Sequence, residues 1–141
     1  MGIKISPELR KALVEEFRLV EKKIREEKTI RKKLFFLSAT YGQVTRVFNI
    51  SYDPQLILMH LVLNAAYSTI GEVVKRIQEG RETVIKLPEN YFEKLAELIK
   101  ELAELIEKDE DTYSVLQKIA VLTYAITGNG YYLYLKGILK I

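Results

Sequence analysis

Residues 88–108 read PENYFEKLAELIKELAELIEK, and this stretch decides the fold class. Phe92, Leu95, Ile99, Leu102 and Ile106 recur at steps of three and four. That spacing puts them on one face of a helix, whereas a strand would need alternation. Tyr91, Leu98 and Leu105 widen the seam on one side. The pattern predicts a helix opened by Pro88-Glu89-Asn90 and running to about Lys108. A heptad seam of this kind is stable only against other helices.

The same period recurs on both sides. Asp109-Glu110-Asp111-Thr112 predicts a turn and a cap for a helix from Tyr113 to Thr127, ended by Gly128-Asn129-Gly130. Tyr131 to Ile141 predicts a short final helix. Towards the N-terminus, Asp53-Pro54 starts a helix that runs to about Glu79, with Gly80 as its stop. Leu56 to Tyr67 is apolar on most faces, which predicts that this helix is the central, most buried one. Ser6-Pro7-Glu8 starts the first helix. Its stripe of Leu9, Leu13, Phe17, Val20 and Ile24 resumes at Ile30, Leu34, Leu37, Tyr41, Val44 and Phe48, across the polar Glu26-Glu27-Lys28-Thr29. An unbroken helix from Pro7 to Phe48 would be about 63 Å long. That exceeds a compact domain of this size, so a break or kink is expected near Thr29 or Gly42. Thr83-Val84-Ile85-Lys86-Leu87 predicts an extended connector. The expected architecture is all-α: a single domain over 1–141, a helical bundle of four to five helices with the first helix long or kinked.

Composition narrows the chemistry. Of 141 residues, 48% are hydrophobic and 29% charged, which suits a globular chain rather than a disordered one. The absence of cysteine excludes disulfide frameworks, thiolate metal sites and cysteine nucleophiles. Asn and Gln, at four each, are scarce, which leans towards a thermophilic source. The first residues hold no apolar export segment, and the uncharged stretch Ile119–Leu135 is interrupted by Thr127-Gly128-Asn129-Gly130. A cytoplasmic protein without a membrane role is expected.

The single histidine, His60, has Ile57 three residues before it and Asn64 four after it, so the Glu-x-x-His pair of di-iron bundles is missing. With Asn64, Ser68, Glu72, Arg76 and Glu79 it forms the one polar strip of an otherwise apolar helix, expected to face solvent or a groove edge, the alternative being a partly buried polar network or a binding groove. The arginine that small helical nucleases of the HEPN type place four to six residues before a histidine is also missing; Pro54, Gln55 and Leu56 stand there, with Asp53 before them. Glu97, Glu101 and Glu104 share a helix face, expected to be a solvated outer surface rather than a cation site. No phosphate-binding glycine loop occurs. No catalytic residue, metal or cofactor is expected.

Charge asymmetry is the strongest remaining feature. Met1 to Phe48 carries 12 bases and 6 acids, whereas Glu89 to Asp111 carries nine acids and three lysines. Lys22, Lys23, Arg25, Lys28, Arg31, Lys32 and Lys33, with Arg46 beyond them, form a candidate nucleic-acid contact set that would hold phosphates without reading bases. On a continuous helix Arg25, Lys28 and Lys32 would align, as would Lys22 and Lys33. The competing expectation is that the acidic helix pairs with these bases. Nine tyrosines are present, and Tyr131, Tyr132 and Tyr134 cluster with Leu135 as a candidate self- or partner-protein interface. In architecture alone, a small basic-patched helical chain is similar to the small helical subunits of CRISPR-type ribonucleoprotein complexes, which implies an accessory role on nucleic-acid backbone. The alternative is an oligomeric or partner-binding helical scaffold with no nucleic-acid role.

Overall fold

The computed structural model describes residues 2–50, 52–80 and 87–140. These residues form six helices and no strand: α1 (Pro7–Glu26), α2 (Ile30–Ile50), α3 (Pro54–Gln78), α4 (Tyr91–Glu107), α5 (Tyr113–Tyr124) and α6 (Gly128–Leu135). The class is all-α as expected, and the helix count exceeds the expected four to five. The strand-like connector at 83–87 lies almost wholly outside the described residues.

The break falls at Thr29 and not at Gly42, which sits inside α2. Glu27 turns extended at ψ 137°, and the Thr29 hydroxyl accepts the Lys32 N–H at 3.3 Å. Thr29 is therefore the cap of a new helix. The polar run around it has no apolar group to bury, so nothing resists the reversal. Ser6 caps α1 by accepting from Leu9 N at 3.2 Å, and Asp53 caps α3 by accepting from Gln55 N at 2.8 Å. Gly80, at φ +67°, ends α3 with the left-handed residue such a terminus favours.

One expected boundary was misplaced, and one expected cap works differently. Gly128-Asn129-Gly130 does not simply end a helix; it begins α6, because the Thr127 hydroxyl accepts from Gly130 N at 3.2 Å. A side chain at 130 would strike the Tyr124 carbonyl, so α5 and α6 meet closely only through glycine there. Thr112 sits at the start of α5 but does not cap it with its side chain. Its N–H and hydroxyl both donate to Gln55 Oε1 instead, at 2.8 and 2.9 Å, tying α5 to α3 in the buried interior.

The helices close a ring. α1 packs between α4 and α2, α3 between α2 and α5, and α5 returns to α4; α6 rests on α5. Five helices cannot all be antiparallel to both neighbours around a closed ring. The parallel pair is α3 with α5, which meet Gln55 to Thr112 at one end and around Thr69 and Ile126 at the other. The core holds Leu13, Phe17 and Val20 of α1, Leu37 and Val44 of α2, Leu56, Met59, Leu63 and Ile70 of α3, Leu95, Ile99, Leu102 and Ile106 of α4, and Val115 and Ile119 of α5. Ile3, ahead of α1, joins it.

This corrects one expectation. α3 is not the central element; it is one of five in the ring, with Leu61 58% exposed on its outer face. It is the one helix among the described residues long and apolar enough to cross a membrane, and its inner face is packed in the bundle. Most of the α4 seam is buried within the chain against α1 and α5, while Phe92, Leu98 and Leu105 are half-buried at its edge.

Candidate nucleic-acid interface

The acidic helix does lie beside the basic one. Arg18 donates to both Glu107 carboxylate oxygens at 3.0 and 2.8 Å, and these hydrogen bonds raise its pKa further. Arg25 is held by Glu21 of its own helix and by Glu97 of α4, the latter at 2.9 Å. Its pKa is raised first by the Glu21 hydrogen bond. Arg10 donates to the Ile106 and Ile3 carbonyls, both at 2.7 Å, and pairs with Asp109 at 3.2 Å. Glu101 meets Lys118 of α5 at 3.5 Å. The glutamates expected to form a free outer face thus include Glu97 and Glu101 in cross-helix ion pairs. Among the described residues no group of three His, Asp or Glu is placed to hold a metal ion.

The rest of the basic set divides at Thr29. Lys33 turns inward: its Nζ donates to the Ile24 carbonyl and lies 5.6 Å from the centre of the Phe92 ring. Lys23 is half-buried with its Nζ 5.7 Å from the Phe36 ring centre. Lys22 is exposed and reaches Glu26 only at 3.8 Å. The alignment of Arg25 with Lys28 and Lys32, and of Lys22 with Lys33, does not exist, because the reversal resets the helical phase. Arg46 donates to Gln43 at 3.3 Å, and at 1.5 Å per residue it stands about 21 Å along α2 from Lys32. It is not part of the corner.

Lys28, Arg31 and Lys32 remain. All three are exposed, and no ion pair engages them among the described residues. Their placement follows from the local sequence. Ile30, Leu34 and Leu37 face the core, which points Arg31 and Lys32 outward on the first turn of α2. That turn carries no acid. A helix N-terminus has partial positive charge and free N–H groups, so cations there are mildly destabilising and an anion would be stabilised by both.

Residues that the sequence reading left out sit next to them. Phe35 follows Arg31 by one turn and is 70% exposed. It lies at a cleft of about 320 Å³ between α2 and α3, with Arg31, Tyr67, Gly71 and Lys75 among its walls. The feature that marks Phe35 in sequence is its position off the apolar stripe, between Leu34 and Leu37, beside three bases.

His60 departs from its strip. It is half-buried against α2, with Nδ1 2.9 Å from the Thr45 hydroxyl and its ring edge-on to Tyr41 at 6.2 Å. Asn64, Ser68, Glu72, Arg76 and Glu79 are exposed as expected. On α6, Tyr131 is half-buried and stacks at a tilt on Tyr134 with centroids 6.3 Å apart, Tyr132 lies under Lys136, and Leu135 is 66% exposed. No family model, curated protein or solved structure matches the chain.

Proposed function

We propose that this chain is a non-catalytic helical accessory protein that holds nucleic-acid backbone at the α1–α2 corner. The observation carrying the reading is the exposure of Lys28, Arg31 and Lys32, without acidic partners among the described residues, at the positive end of α2. The arginines of α1 that meet α4 are already engaged, so the corner, rather than the whole basic helix, is the contact set. Stability gives no reason for cations at this position. Phosphate does, and contact with phosphate alone makes binding tolerant of sequence and sensitive to salt.

The test is binding to a labelled single-stranded oligonucleotide across a salt series. Lys28, Arg31 and Lys32 touching three phosphates give a log–log slope of about −2, at roughly 0.7 per contact on a single strand. The triple variant K28E/R31E/K32E is expected to lose most of that slope. Lys33 is left in place, since it packs against Ile24 and Phe92. No binding by the unaltered chain at low salt sinks the proposal.

A second reading rests on α6. Tyr132, Tyr134 and Leu135 of α6, with Ile138 just beyond its end, are large and exposed, and α6 closes no part of the ring. They suit a scaffold that meets a second copy or another protein through an apolar surface. Light scattering of the chain and of its L135D variant tests the second-copy form: a concentration-dependent dimer lost in the variant supports it.

A further inference from the structure

The cleft between α2 and α3 is built differently from the other surfaces of the bundle. Arg31 and Lys75 come from facing helices, and Phe35 stands at the lip with most of its ring in solvent. Tyr67 forms part of the wall, and among the described residues no carboxylate lines the space. Gly71 lies on the wall beside open space, with no atom within 4 Å of where a Cβ would stand. Neither cation has an ion-pair partner among the described residues. An exposed aromatic sharing a cleft with two cations matches a polymer that alternates flat rings with negative charges.

We infer that this cleft takes a single-stranded segment of nucleic acid, one unpaired base stacked on Phe35 and the flanking phosphates on Arg31 and Lys75. The inference rests on the backbone-binding reading above and adds a strand preference to it. A duplex keeps its base faces stacked inside and can offer the cleft only phosphate. A single strand offers both, and stacking on an aromatic ring is tolerant of base identity. An acidic peptide would satisfy the cations and leave the Phe35 ring without a flat partner.

The chain has no tryptophan, so Phe35→Trp creates a single reporter at the lip. Phe35 is exposed, and neither Phe35→Trp nor Phe35→Ala should disturb the fold, which circular dichroism checks. Titration of the F35W protein with oligo(dT), with a duplex of equal charge and with poly-glutamate is expected to quench tryptophan emission for the single strand only. Phe35→Ala is expected to weaken single-strand binding about tenfold and leave duplex binding unchanged. Lys75→Glu should weaken both. If single strand and duplex bind equally to unaltered protein and Phe35→Ala changes neither, the cleft inference falls while the corner reading stands. Equal quenching by poly-glutamate also overturns it. If the unaltered chain binds neither nucleic acid at low salt, both readings fall together.

Discussion

Lys32→Glu separates function from stability in a single residue. Lys32 is the third residue of α2, and Thr29 is the cap that accepts its N–H. A glutamate at this position completes the reciprocal pair of a capping box, reaching back to the Thr29 N–H. It also replaces a cation that opposes the helix dipole with an anion that favours it, each change contributing about 0.3–1 kcal/mol. The two effects overlap, and ordering the glutamate opposes them, so the net gain is about 1 kcal/mol. For a chain of this size that raises Tm by about 4 °C. Calorimetry at low ionic strength reads the gain directly. The same substitution removes one phosphate contact, lowering the salt slope of oligonucleotide binding by about 0.7. Stability rising while affinity falls is the signature of a residue placed for a ligand. A Tm that drops, or affinity that does not change, refutes the reasoning: Lys32 would then have an intramolecular partner or face nothing.

Four further outcomes follow from the interior. Tyr91 is 1% exposed and its hydroxyl has no hydrogen-bond partner among the described residues, so Tyr91→Phe should stabilise by about 1–3 kcal/mol in urea unfolding; a loss of more than 1 kcal/mol would mean the hydroxyl is satisfied. Burial raises the Tyr91 pKa above the ordinary phenol value of about 10. The unfolded chain therefore ionises first, and stability present below about pH 10 is lost above it, by up to about 1.4 kcal/mol per pH unit; the Y91F protein should lack this extra slope. Gln55→Leu strands two buried donors of Thr112 and should cost about 2–4 kcal/mol, which a shift of less than 1 kcal/mol would contradict. Gly130→Ala drives a methyl into the Tyr124 carbonyl and should destabilise or detach α6, whereas Gly128→Ala, in open space, should change Tm by no more than a degree or two; equal effects would show that α5 and α6 do not meet as described.

What was legible in the sequence were features that act locally. Ser6-Pro7, Asp53-Pro54 and Gly80 carry their meaning in a few neighbouring residues, and the structure uses each where its chemistry places it. The α4 seam was legible as a helix, but its partner was not. Periodicity says that a face must be covered and not by what, and here α1 and α5 cover it. Lys33 was misjudged because alignment across Thr29 assumed one continuous phase. Once the chain reverses, Lys33 points to Ile24 and Phe92 while Lys32 beside it points to water. Gly128-Asn129-Gly130 was misjudged because glycine stops a helix only where no cap restarts it, and Thr127 does. The cleft was invisible for another reason: Arg31 and Lys75 are 44 positions apart, and only the antiparallel packing of α2 on α3 joins them.

The main partner of α1 is α4, which the ribosome delivers last of the two by more than half a ring of the bundle. At about 5–20 residues per second, the residues between them take on the order of 3–13 s to synthesise. Through that interval Leu13, Phe17, Val20 and Ile24 have only α2 for shelter. A nascent chain arrested before Tyr91 therefore carries an oily, unfinished flank, and its escape from clumping depends on the charge of the same helix.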